Sequence, residues 1–104
     1  MIEKIYTYST DDELKIEKLI FDDNINYIHM VFPQGEGLPE HNSNNNLYIT
    51  VVRGQLSITL GTQETHVYSK GTVVTLPQGI KMKISNLHHE VLELIVVKAP
   101  ILKK

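Results

Sequence analysis

Two motifs with fixed spacing constrain the fold of this chain more than any other feature. The first is Gly35-x5-His41-x-Ser43-x3-Leu47-x6-Gly54, and the second is Gly71-x5-Pro77-x-Gly79-x2-Met82-x3-Asn86. Glycine tolerates positive φ, and a proline followed by a glycine combines a fixed φ with a permissive one, so both suit tight turns. Asparagine can bond the nearby backbone at a strand end. The motifs therefore predict turns that separate short strands.

The apolar residues between these turns alternate with polar ones at a period of two. Such alternation is typical of strands with one buried face. The clearest runs are short, rich in β-branched residues and bounded by turn signals: Leu56–Leu60, Thr72–Leu76 and Val91–Val97. A small chain with roughly eight to ten such strands must hide its sheet edges, as a barrel or a two-sheet jelly roll does. The sequence therefore predicts an all-β fold.

The segment 11–20 admits two interpretations. Asp12 could cap a helix, because the residues that follow it are good helix formers. Leu14 and Ile16 alternate with charged residues, however, as they would in a half-buried strand. We expect a strand over most of this segment.

Composition and charge exclude several classes of function. The 104 residues suffice for one domain. A net charge of -2 offers no attraction for a polyanion, so we expect no nucleic-acid partner. The chain has no cysteine, which excludes disulfides, thiolate metal sites and cysteine nucleophiles. No apolar run approaches the roughly 20 residues that span a bilayer, so we expect no membrane partner and a cytoplasmic location.

The two motifs resemble the paired motifs of the cupin family, G-x5-H-x-H-x3-4-E-x6-G and G-x5-P-x-G-x2-H-x3-N. The turn residues of both motifs match, with residues 35–54 as motif 1 and residues 71–86 as motif 2. This resemblance implies a cupin-type jelly-roll β-barrel, also called a double-stranded β-helix. It further implies one cupin domain over residues 1–104, with residues 1–12 as an N-terminal strand or arm.

The resemblance also implies where a metal ion would bind. In cupins two histidines, a glutamate and a later histidine point inward and hold an ion such as iron, manganese or zinc. The matching positions in this chain are His41, Ser43, Leu47 and Met82. A hydroxyl, an isobutyl group and a thioether are poor ligands for such an ion. A shift of the motif by one residue restores little, since it brings in Glu40 and Asn42 but leaves Leu47 and Met82. We therefore expect no metal and no other cofactor.

One residual metal site remains conceivable. His29 precedes motif 1 and could face the interior, where it would join His41. The opposite face of its strand carries Ile28, Met30 and Phe32, which is more apolar and is the expected core face.

The candidate ligand-binding residues are His41, Ser43, Leu47, Ile49 and Met82. The period of two directs Leu47 and Ile49 inward, and Met82 would join them from motif 2. His41 and Ser43 are expected near the rim as hydrogen-bonding groups. The set describes an apolar ligand site with few polar anchors, and it equally describes an ordinary filled core.

Three function classes stay open. We favour a metal-free barrel that binds a small organic molecule, as a sensor or carrier. A metal-independent isomerase or lyase would use His41, the only catalytic candidate, as general acid or base. The missing ligand set disfavours a metal-dependent dioxygenase. The third class is a scaffold in which the barrel serves only dimerisation. Whichever class applies, we expect a homodimer, because the resemblance implies one, small cupins being commonly homodimers, and because the apolar residues Ile2, Ile5, Tyr6 and Tyr8 suit a covered terminus.

Overall fold

The structure, a computed structural model, describes residues 1–99. This part of the chain forms nine β-strands in two sheets. The strands are β1 (Lys15–Phe21), β2 (Asn26–Phe32), β3 (Gly37–Asn42), β4 (Asn46–Arg53), β5 (Gln55–Leu60), β6 (His66–Ser69), β7 (Val73–Leu76), β8 (Lys81–Ser85) and β9 (Leu92–Ala99). The all-β prediction is confirmed. No helix in this range is long and apolar enough to cross a membrane.

The strands pair antiparallel in a five-stranded sheet and a four-stranded sheet. The five-stranded sheet has the order β1-β2-β9-β4-β7, and the four-stranded sheet has the order β3-β8-β5-β6. Every connection except β1–β2 and β5–β6 crosses from one sheet to the other, so neighbours in sequence mostly lie in opposite sheets. This is the two-sheet jelly roll that the cupin resemblance implied, and it is one of the two arrangements that the strand pattern left open.

The hydrophobic core lies between the two sheets, and the period of two explains its membership. On β2, Ile28, Met30 and Phe32 belong to the core, whereas His29 and Val31 lie on the opposite, outer face of the sheet. The predicted core face of this strand is therefore confirmed. The remaining core residues are Leu47, Ile49, Val51, Leu56, Ile58, Leu76, Met82, Ile84, Leu92, Leu94 and Val96.

Gly54 explains why motif 1 ends in a glycine. It lies between β4 and β5 with φ +82°, a conformation that residues with a side chain rarely adopt. A Cβ at this position would stand 2.3 Å from the carbonyl oxygen of Val91. The strands can therefore turn here only around a residue without a side chain.

Asn86, the last residue of motif 2, joins three segments through its buried side chain. Its Nδ2 donates to the carbonyl oxygens of Phe32, at 2.8 Å, and Glu90, at 2.9 Å. Its Oδ1 accepts a hydrogen bond from the backbone N–H of His88 at 2.9 Å. The sequence predicted local backbone bonding, and the structure adds the long-range bond to the end of β2.

The N-terminal arm (residues 1–12) carries no strand, and β1 begins at Lys15. The ambiguous segment 11–20 is therefore a strand over its second half, as expected, with an irregularity between Lys18 and Ile20. The arm lies beside the outer face of the five-stranded sheet, where Ser9 contacts Glu17.

Candidate functional site

His41, the first residue of the family's metal positions, is exposed to solvent near the end of β3. Its Nδ1 lies 2.8 Å from the carbonyl oxygen of Pro39, so this nitrogen donates and the local backbone holds the ring. His41 is paired with the core residue Met82 and so lies on the same face of the sheet, but its side chain stays exposed rather than buried in the core.

Ser43 is buried, and its hydroxyl is used by the turn that follows β7. Oγ donates to the carbonyl oxygen of Pro77 at 3.0 Å and accepts from the N–H of Ile80 at 3.1 Å. Backbone bonds from Ser43 N to Ile80 O and from Gly79 N to Ser43 O complete the contact between the two motifs. A hydroxyl that already donates and accepts has little capacity left for a ligand. Ser43 therefore stabilises the turn between β7 and β8.

Leu47, Ile49 and Met82 point inward, as the alternation predicted, and each belongs to the hydrophobic core. Their exposed fractions are 4%, 0% and 2%, so the packed side chains around them leave almost no surface that a ligand could touch. At these three positions the structure corresponds to the filled-core alternative.

The four family positions do not fit a metal ion. They present one solvent-facing imidazole, one hydroxyl bonded to backbone, and the hydrocarbon and thioether groups of Leu47 and Met82. Divalent ions in such sites prefer several nitrogen or oxygen ligands. Across residues 1–99, moreover, no group of three or more His, Cys, Asp or Glu side chains is arranged to hold a metal.

His29 is fully buried on the outer face of the five-stranded sheet, away from His41. Its Nδ1 lies 2.7 Å from Glu17 Oε1 on β1, and its Nε2 lies 2.6 Å from Glu93 Oε2 on β9. The two carboxylates therefore occupy opposite sides of the ring and cannot converge on one ion with it. The structure does not bring His29 and His41 together.

The N-terminal arm covers this charged cluster. The ring of Tyr8 lies over that of His29 with centroids 4.1 Å apart, and Ser9 donates to Glu17 through both its N–H and its hydroxyl. Hydrogen bonds from His29 and then from Ser9 hold the pKa of Glu17 below its ordinary value of 4.5.

Arg53 extends the same cluster toward the start of β1. Its guanidinium donates to Asp12 at 2.8 Å and has its Nε 3.2 Å from Glu93. The hydrogen bond to Asp12 and the charges of both carboxylates raise the pKa of Arg53. The arm is thus attached to the sheet by the contacts of Ser9 with Glu17 and of Asp12 with Arg53, and this cluster is a structural one.

A recess of about 260 Å³ opens at one end of the barrel, where β1 and β9 end and β2 begins. We call it the mouth recess. Its lining combines two lysines, three asparagines and three apolar side chains: Lys18, Lys98, Asn26, Asn44, Asn45, Ile20, Phe21 and Ile28. This is the same end of the barrel that carries the family's metal positions, since Lys98 is paired with Leu47.

The sequence did not identify the mouth recess as a site. Its lysines lie on strands that are far apart in sequence, and only the strand register shows that they share a face. The one visible signal was the run Asn44–Asn46, which predicted a turn. A second open groove of about 300 Å³ lies beside the β5–β6 turn around Leu60 and Ile80, and its lining carries no charged side chain.

Comparisons with known proteins support the same architecture. Residues 28–98 match the family model described as cupin domain. An uncharacterized protein of Methanocaldococcus jannaschii is 40% identical over 105 residues, which span 100% of this chain and 90% of the relative.

Two solved structures illustrate the fold similarity. A crystal structure from Methanocaldococcus jannaschii, described as an RmlC-like cupin family protein with a double-stranded β-helix fold, has a TM-score of 0.93 at 39% identity and covers 96% of this chain and 93% of that one. A cupin superfamily protein from Desulfitobacterium hafniense has a TM-score of 0.77 at 13% identity, over 91% and 84% of the two chains. The expected double-stranded β-helix is confirmed, and this chain belongs to the cupin family.

Proposed function

We propose that this protein is a small-molecule-binding cupin that works without a metal ion, as a sensor or carrier. The mouth recess is its binding site. The observation that carries the proposal is the composition of this recess, in which apolar side chains form one part and five polar side chains surround them. A small molecule is held by apolar contact together with a few placed polar groups, and this recess offers both, with a larger polar share than most such sites.

The position of the recess supports the proposal. Ile28 belongs to the hydrophobic core and also lines the recess, so a ligand there would rest on the end of the core. The buried candidates Leu47, Ile49 and Met82 lie below, where they shape the interior rather than touch the ligand directly. Ser43 fixes the loop that leads to Asn44 and Asn45, and in this way it supports the rim.

Independence from metal follows from the chemistry of the side chains present. At the family's metal positions only His41 is a good ligand, because Ser43, Leu47 and Met82 carry no charge and no imidazole. One imidazole offers too few donor atoms for a divalent ion. Binding in this protein therefore depends on hydrogen bonds, charge and apolar contact.

The isomerase or lyase alternative has weaker support. His41 would need a substrate held against its ring, whereas the mouth recess is lined by other residues. Glu40, the nearest candidate partner in sequence, lies 3.1 Å from Lys81 in an ion pair. A general acid or base needs a reacting group within hydrogen-bond reach, and no carboxylate in residues 1–99 is hydrogen-bonded to this histidine.

A scaffold role is the second candidate function, and exposed apolar surface favours it. Tyr48 and Val73 lie on the outer face of the five-stranded sheet with exposed fractions of 44% and 60%. Ile2 and Ile5 in the N-terminal arm are more exposed still. A homodimer would cover such surface. Sedimentation equilibrium would test it, and a monomer at all concentrations would exclude the scaffold role.

Ligand binding is tested with metal-stripped protein and a chemically diverse fragment set in a thermal-shift screen. A ligand that binds only the folded state raises the unfolding midpoint by mass action. Asn44→Trp places a large ring at the recess, and Gln34→Trp introduces the same ring at an exposed loop position outside it. We expect fragments that stabilise the protein and the Gln34→Trp variant but not the Asn44→Trp variant. Fragments with equal effects on all three proteins would place the site elsewhere.

A further inference from the structure

We infer that the ligand of the mouth recess is a small organic anion, a carboxylate or phosphate ester with an apolar body, held between Lys18 and Lys98. This inference rests on the proposed function and specifies the ligand class for the same site.

Strand register brings the two lysines to the recess from opposite sides of β2. Lys18 on β1 is paired with Ile28, and Lys98 on β9 is paired with Asn26. Directly paired residues of antiparallel strands project to the same face, so both lysines share the face of the core residue Ile28. Adjacent strands are about 4.8 Å apart, which separates β1 from β9 by about 10 Å. Two lysine side chains can both reach a ligand between them across this distance.

The charges at the recess are unbalanced. Its lining contains two lysines and no carboxylate. Neither lysine forms an ion pair with another residue of the described range 1–99. Asp22, just beyond the end of β1, accepts the backbone N–H groups of Asn24 and Ile25 within its own turn. Like charges around one recess repel each other, and an anion placed between them is attracted to both.

The other lining residues indicate the rest of the ligand. Asn26, Asn44 and Asn45 carry side-chain N–H groups that can donate to carboxylate or phosphate oxygens. Phe21 exposes 79% of its surface beside Ile20, so an apolar ligand body would remove hydrophobic surface from water. The recess is smaller than the roughly 300–1,000 Å³ of drug-sized sites, which favours a ligand about the size of benzoate.

The test is calorimetric titration of the metal-stripped protein at low salt with probes that differ in charge. The anions are benzoate, phenyl phosphate and inorganic phosphate, the neutral probe is benzamide, and the cation is benzylamine. The variants are Lys18→Met and Lys98→Met, which keep most of the side-chain length without the charge. Lys83→Met is the matched control, because Lys83 is exposed on β8 in the other sheet.

We expect benzoate or phenyl phosphate to bind more tightly than benzamide, and each recess variant to weaken that binding by about tenfold or more. The control variant should bind as the unmodified protein does. Whichever of the two aromatic anions binds more tightly identifies the preferred headgroup, a carboxylate or a phosphate.

Three results would overturn the inference in distinguishable ways. If benzamide binds as tightly as the aromatic anions and the lysine variants change nothing, the recess binds small molecules but does not select anions. If inorganic phosphate binds as tightly as phenyl phosphate, and benzoate no better than either, the apolar body contributes nothing. If no probe of any charge binds while the fragment screen still finds a ligand for the recess, the anion class fails alone; if that screen finds none either, the proposed function fails with it.

Discussion

The Nε2 atom of His29 lies 2.6 Å from Oε2 of Glu93, on the neighbouring strand of the five-stranded sheet. Glu17 contacts the other ring nitrogen, at 2.7 Å. Ionised carboxylates only accept hydrogen bonds, so each ring nitrogen of His29 faces a carboxylate acceptor. With the N-terminal arm over this buried ring, the cluster is a polar link between the arm and the sheet.

His29→Gln should lower the free energy of unfolding by about 3 kcal/mol, because Glu17 and Glu93 lose the buried ring that contacts both of them. Urea unfolding measures the change. His41→Gln is the control, since His41 is exposed, and it should shift stability by less than about 0.5 kcal/mol. Equal effects from the two substitutions would show that the His29 cluster contributes no stability.

The free energy of unfolding should fall in acid, in part because Glu17 becomes protonated. Its pKa in the folded protein is lower than its ordinary value of 4.5, mainly because His29 donates to it. The folded state therefore binds fewer protons than the unfolded state, so this contribution is fully present above about pH 4.5 and is lost as the pH falls through the lower, folded-state pKa. Glu17→Gln should make the decline in stability with falling pH shallower.

Urea midpoints between about pH 6 and pH 3 would measure this slope. Glu64→Gln provides a control at an exposed carboxylate, and it should leave the slope unchanged. A Glu17→Gln protein with the slope of the unmodified protein would contradict the assigned role of the His29 bond.

Asn86→Ala should destabilise the fold by about 3 kcal/mol, since it leaves the buried carbonyl oxygen of Phe32, the carbonyl oxygen of Glu90 and the N–H of His88 without their partner. Asn42→Ala removes the same amide from an exposed strand position and should cost less than about 1 kcal/mol. Denaturant unfolding compares the two. If their costs were alike, Asn86 would be an ordinary turn residue rather than a tie between three segments.

Metal content tests the proposed loss of the family's ion. Protein purified without chelator should contain much less than one equivalent of any divalent transition metal, and His41→Ala should not change the amount. One tightly bound equivalent that disappears with His41→Ala would show that the family positions still hold an ion. Elemental analysis by mass spectrometry gives the measurement.

Much of the fold was predictable because its signals are local. Gly54 permits a turn that a side chain would block, and the alternation from Leu47 identifies the core face of β4 without knowledge of its neighbours. The core face of β2 was predicted in the same way from Ile28, Met30 and Phe32.

The polar sites were not predictable because they depend on distant pairings. Glu93 lies 64 positions from His29, and no local pattern connects them. Lys18 faces the mouth recess because it is paired with Ile28 on β2, and only the strand register reveals this pairing. Ser43 was expected to be free at the rim, and only the contact between the two motifs reveals that its hydroxyl serves Pro77 and Ile80.

The most direct test of metal-free binding at the mouth recess is an NMR titration of metal-stripped protein with an aromatic carboxylate. We predict saturable chemical-shift changes centred on Asn26, Asn44 and Asn45, without any added divalent ion. Shifts that appear only after a divalent ion is supplied, or that centre on His41 and leave the three asparagines unchanged, would contradict this prediction.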